Sequence, residues 1–149
     1  MILLVLSGCG KIDGSAHRVD EEFKDAVAIF GRQALLRGVD VSKATNSINV
    51  VFDDFDTDTL GRCTKTPLGP KTITIDRRFW KTAYKNQRLA VVFHELGHCA
   101  LGREHVDAVD DQHRPVSLMF PSAAFPGDFF DEKSDEYFDE LFQSNLVGD

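Results

Sequence analysis

The sequence predicts a single α+β domain, a small twisted mixed sheet served by helices, and three observations point to it. The first is size: 149 residues and 16.7 kDa suit one hydrophobic core, because domains usually run to about 100–150 residues. The second is that apolar residues recur every three or four positions in three separate stretches, as on helices buried along one face. The third is a pair of short β-branched runs lying between the first and second of those stretches, which read as buried strands. Composition agrees with an ordinary folded body. A 42% hydrophobic fraction with 12 Phe supplies a core, while 28% charged residues and a mean hydropathy of -0.21 exclude collagen, coiled coil and disorder. No run approaches the ~20 apolar residues of a membrane-spanning helix.

Along the chain, residues 19–36 carry Val19, Phe23, Val27, Phe30 and Ala34 at helical spacing, and Gly38 suits the end of that helix. Residues 48–52, INVVF, form the first predicted strand. Turn residues follow at 53–58, a short strand around Cys63 is expected over 60–66, and Pro67 and Pro70 separate it from a second confident strand, TITID, at 72–76. The longest buried helix is predicted over 86–101, lined by Leu89, Val92, Phe93, Leu96 and Ala100 and stopped by Gly102. A long loop at 103–126, with Pro115, Pro121 and Pro126, then leads to a last helix. Ser134 is expected to cap it, with Phe138, Leu141 and Phe142 facing inward.

Charge is divided along the chain. Residues 1–93 carry 14 Lys/Arg against 11 Asp/Glu, whereas residues 94–149 carry 3 against 13, so +3 and -10 make up the net -7. Nucleic acid is therefore not an expected partner, because phosphate binding draws on clustered cations that the acidic half lacks. Asp107, Asp110 and Asp111 sit unlike the ligands of a calcium loop, and a solvated acidic loop is expected there.

The chemistry lies within the long helix. His94, Glu95 and His98 form HELGH, an HExxH pattern. Residues four apart share one helix face about 6 Å apart along the axis, so both imidazoles can approach one ion at the ~2.0–2.1 Å of a zinc bond. Glu95 projects beside that ion without having to bind it. A carboxylate so placed can take a proton from zinc-activated water, whose pKa falls from 15.7 to roughly 7. A catalytic zinc site needs a third protein ligand. His105 is the leading candidate, since Gly102 allows the chain to turn back, and Glu104, Asp107 and His113 are its rivals.

HELGHCALGREH followed by SLMFP resembles the metzincin zinc peptidases, and the matrixin branch most closely. The matching residues are His94, Glu95, His98, Gly102 and His105, with Leu118, Met119, Phe120 and Pro121 as a Met-turn. One departure is that three residues rather than two separate His98 from the glycine, an extra ~100° of helix for the loop to absorb. The specific likeness covers 94–121; the order of elements extends it loosely to 19–142, with Trp80 and the Phe residues as core.

The resemblance implies a minimal metzincin-like (zincin) domain with an active-site helix, Met-turn and C-terminal helix. It further implies a zinc-dependent endopeptidase: Glu95 as general base, zinc held by His94, His98 and His105, and Met119 as a hydrophobic floor that does not ligate. A protein or peptide substrate would lie along the edge strand near 60–66. A monomer is expected. The alternatives are a non-catalytic, zinc-stabilised lipoprotein acting as a binding module, and a gluzincin-like peptidase whose third ligand is a carboxylate.

The opening residues resemble the end of a bacterial lipoprotein signal peptide, with Leu6, Ser7, Gly8 and Cys9 as the lipobox. After Met1 only the five apolar residues Ile2 to Leu6 precede Ser7, with no Lys or Arg before them, so residues 1–16 read as a truncated signal and tether, and 17–149 as the peptidase domain. The competing reading is a short buried strand with an ordinary Cys. A lipidated Cys9 implies export and anchoring to an outer membrane or cell surface, with membrane contact only through the lipid. It also leaves Cys63 and Cys99 as an even pair in an oxidising compartment, either bridged or as two unrelated thiols.

Overall fold

The computed structural model describes residues 17–143. Cys9 and the tether at 1–16 lie outside the described residues. Among those described, a turn of 3-10 helix (Glu21–Phe23) leads into α1 (Lys24–Leu36), a short α2 (Ser42–Thr45) and β1 (Ile48–Asp53). The hairpin partners β2 (Gly61–Thr64) and β3 (Lys71–Asp76) follow, then α3 (Arg77–Thr82) and the long α4 (Lys85–Leu101). After the 103–124 segment come a 3-10 helix (Phe125–Phe129) and α5 (Phe130–Leu141). No helix among the described residues is long and apolar enough to cross a membrane.

The sheet is mixed and ordered β1-β3-β2, with β1 parallel and β2 antiparallel to β3. β2 is thus an edge strand. α4 packs against β2, β3, α1, α5 and the second 3-10 helix. It is buried on all sides from Ala90 to Gly97, which is why its sequence reads as almost continuously apolar around the two histidines. Aromatic groups fill both flanks. Phe23, Phe52 and Trp80 pack together on the sheet side, and Phe30, Phe93, Phe130, Phe138 and Phe142 join α1, α4 and α5. Gly127 lets the second 3-10 helix approach closely, since a Cβ there would meet the Gln87 Cα at 2.6 Å.

Several boundaries move from the sequence expectation. Val19 is not helical: it bridges Val50 in parallel, and its neighbour Asp20 donates its N–H to the Val50 carbonyl at 2.9 Å. Backbone pairing to β1 thus overrides the apolar periodicity that had placed it on α1. Gly38 ends α1 as expected, at φ +77°, with its N–H on Leu35 and that of Val39 on Ala34, both signs of a Schellman turn. Ser134 does not cap the last helix, because α5 begins at Phe130, four residues earlier, running on from the 3-10 turn. The short α3 has no apolar period, being six residues long with none of them buried. It is set by Asp76, whose carboxylate accepts the Phe79 N–H at 2.7 Å as an N-cap and the Phe55 N–H at 3.1 Å.

Candidate metal centre

α4 ends at Gly102 in the left-handed conformation, φ +67°, and the Arg103 N–H returns to the Gly97 carbonyl at 3.0 Å. This turn absorbs the extra residue of the motif. It brings His105 back over the helix, so that its Nε2 lies 3.2 Å from Nε2 of His94, while Nε2 of His98 lies 3.0 Å from the same atom. The three ligating atoms all fall within 4.8 Å of one another. His94 is buried, His98 half-buried and His105 exposed, so the cluster opens toward solvent on one side.

Each helical imidazole is aimed from behind. Nδ1 of His94 lies 2.8 Å from the Leu118 carbonyl and Nδ1 of His98 lies 2.7 Å from the Arg103 carbonyl. A carbonyl oxygen only accepts, so each Nδ1 carries the proton and each Nε2 presents a lone pair. Burial lowers the affinity of His94 for a second proton to a pKa of about 4, and desolvation lowers that of His98 as well. Two neutral imidazoles with bare nitrogens 3.0 Å apart repel unless a cation stands between them. The donor set and its outer carbonyls therefore fit zinc, which takes neutral imidazole nitrogen in sites of this kind.

Glu95 lies on the cleft wall, 5% exposed. Burial pushes its carboxyl up to about 7, against the opposing pull of the Cys63 N–H and the Arg62 charge. The side chain fits because position 61 is glycine, where a Cβ would stand 2.8 Å from Glu95 Cγ and 2.9 Å from Oε1. Gly97 performs the same service on the opposite face of α4: a Cβ there would meet the Met119 sulfur at 2.4 Å, and Met119 is fully buried. Neither role is visible in a linear motif. A Gly at the start of a short strand carries no signal of its own.

A cleft of about 770 Å³ joins these parts, lined by Leu60 and the first three residues of β2, by His94, Glu95, His98 and His105, and by Pro121–Ala123 beyond. Glu104 also lines it but stands outside the metal-suited group. Asp107 and His113 are exposed and line none of it. His113 sits at φ +60° in a turn closed by Asp110, whose carboxylate accepts N–H groups from Gln112 and Arg114 and pairs with Lys133. The oxygens of Asp110 are thus occupied by Arg114, Gln112 and Lys133 rather than by solvent alone.

Cys63 and Cys99 form a disulfide with their Cα atoms 5.7 Å apart. It joins β2 to α4 one residue after His98. The bridged alternative of the sequence reading is thus the one in the structure.

No curated protein and no solved structure matches the chain. Residues 58–122 match a family model described as "Putative phage metallopeptidase". The matched span runs from the cleft-lining residues before β2 through α4 to the segment after Met119. Together with the three convergent imidazoles it supports a metallopeptidase with a divalent metal.

Proposed function

We propose that the chain is a zinc-dependent endopeptidase of the matrixin-like metzincin kind, with His94, His98 and His105 as ligands and Glu95 as general base. One observation carries the reading. Three imidazole nitrogens converge beside a buried carboxylate on the wall of an open cleft, with two of the rings oriented by backbone carbonyls. Zinc held there supplies Lewis acidity and an activated water at neutral pH.

The residues of the chain do the rest. Glu95 would take the proton of the attacking water and deliver it to the leaving amine, from a carboxylate held on the cleft wall beside the imidazoles. Gly61 keeps room for that carboxylate beside β2. The edge strand offers its unpaired side to an extended peptide, which would add to the sheet and bring a scissile carbonyl over the imidazoles. The participation of His105 favours three imidazoles over a carboxylate third ligand. The disulfide fits an oxidising compartment and so export; a monomer and a lipid anchor on Cys9 are part of the proposal on the sequence reading alone.

The test is Glu95→Gln in the full chain, with metal content and cleavage of a mixed peptide library measured together. One zinc per chain should remain while turnover falls by about 10²–10⁴, the usual contribution of a positioned base. A wild-type chain with no zinc affinity, or a variant with unchanged turnover, would overturn the reading.

A further inference from the structure

Behind the imidazoles lies a polar group that the proposed reaction does not use. Arg103 is 8% exposed and Ser117 fully buried, and a guanidinium leaves water at a penalty unless its donors are matched. Those of Arg103 are well matched. Nη1 donates to the carbonyls of Glu140 at 2.9 Å and Leu141 at 2.8 Å, at the C-terminal end of α5, and Nη2 pairs with Glu140 Oε1. The second carboxylate oxygen of Glu140 accepts from Ser117 Oγ at 2.5 Å, and Ser117 Oγ in turn accepts the Met119 N–H at 2.9 Å.

The residues held in this way are those that support the three histidines. The carbonyl of Arg103 accepts from His98, and that of Leu118 from His94. The carbonyl of Met119 accepts the Val106 N–H at 2.9 Å, which fixes the backbone directly after His105. Every one of these supports starts from residue 103 or from 118–119, and all are tied to Glu140 by one or two side-chain contacts.

Resting on the metal-site reading above, we infer that Arg103 and Glu140 are positioning residues of the metal centre. They aim the imidazoles from behind, so that changing Glu140 weakens metal binding although all three histidines are retained. Outer partners of ligating histidines are commonly worth about 10–100-fold in metal affinity. A competing account holds the ion pair to be a plain fastening of α5.

A control for that account lies on the same helix. Lys133 ties α5 to the same loop through Asp110 at 3.1 Å, with no bonded path to an imidazole. The experiment compares wild type, Glu140→Gln, Arg103→Lys, Ser117→Ala and Lys133→Met in the full chain. Zn²⁺ affinity is read by chelator competition, and the visible bands of the Co²⁺-loaded protein report ligand geometry. Glu140→Gln should lose about 10–100-fold in Zn²⁺ affinity and shift the Co²⁺ bands. Arg103→Lys should retain part of the affinity, and Lys133→Met should keep both properties.

Zn²⁺ affinity within threefold of wild type together with an unchanged Co²⁺ spectrum in Glu140→Gln overturns the inference. So does an equal loss in Lys133→Met. If Glu140→Gln fails to fold, Ser117→Ala carries the test, with a several-fold loss expected and no loss overturning it. A wild-type chain that binds neither Zn²⁺ nor Co²⁺ removes the metal-site reading itself, and this inference with it.

Discussion

Two ion-pair networks fasten the 103–121 segment to α5. At the C-terminal end of that helix Arg103 meets Glu140 and the last carbonyls, with 8% and 21% of the two side chains exposed. Toward its N-terminal end Lys133 and Arg114 converge on Asp110, and Arg114 reaches Glu132. The chemistry is alike and the surroundings are not. Arg103 continues through its own backbone to His98, and Glu140 continues through Ser117 to the Met119 turn. Asp110 instead folds its own loop into a turn that ends at Arg114. What an ion pair does therefore depends less on its strength than on what its backbone neighbours hold.

The largest effect on stability is expected from a third tie that neither network supplies. Removing the Cys63–Cys99 bridge opens a loop with a sequence separation of 36, worth about 3–4 kcal/mol in the chain-entropy model. Urea denaturation of Cys63→Ser/Cys99→Ser should show a loss of that order, and β2 should loosen from α4. Unchanged stability would mean that helix packing alone sets the cleft wall.

Next in size is the buried pair. Glu140→Ala leaves Arg103 without its carboxylate, which costs about 3 kcal/mol for a mostly buried partner. Lys133→Met, at the other network, should cost less by the same denaturation measurement, because the methionine stem can replace the buried lysine stem. Equal losses would erase the contrast between the two ties.

The smallest effect is on pH response, and it separates the two regions by window. His94 is favoured neutral in the folded chain, with a pKa of about 4 against 6.5 when unfolded. At His94 the unfolded chain then binds more protons below pH 6.5, whereas Glu95, raised from 4.5 to about 7, acts in the opposite sense. The loss of stability as pH falls from 6.5 to 4 is therefore expected in metal-free Glu95→Gln protein. Asp110 also has a depressed pKa, held below its ordinary 3.8 chiefly by the Arg114 N–H and further by Lys133. Its contribution is full above 3.8 and is lost only in stronger acid. Melting temperatures of chelator-treated Glu95→Gln protein between pH 8 and 2 should therefore fall in two steps, and a flat profile from 6.5 to 4 in that variant would count against the buried neutral His94.

Much of the scaffold was legible because its signals are local. β-branched runs marked β1 and β3 to within a residue, and α4 was readable from Asn86 to Gly102, missing only Lys85 at its start. Less local features were misjudged. Val19 obeyed the helical period and went to the sheet, since a parallel bridge to Val50 satisfied its backbone better. Ser134 had the chemistry of a cap, but the helix had already started on the 3-10 turn before it.

By itself the sequence determined the helix that carries His94, Glu95 and His98, because a spacing of four is also one helical turn. It further determined that two cysteines remained to be paired if the first was lipidated. Only the tertiary structure brings His105, rather than His113, Glu104 or Asp107, into one group with the two helical imidazoles, since that depends on where a loop lands after Gly102. The same holds for Gly61, which makes room for Glu95, and for the Arg103–Glu140 pair behind the imidazoles, whose members stand 37 residues apart. Contacts between segments that are distant in the chain leave no periodic trace, because packing and hydrogen bonding act through space.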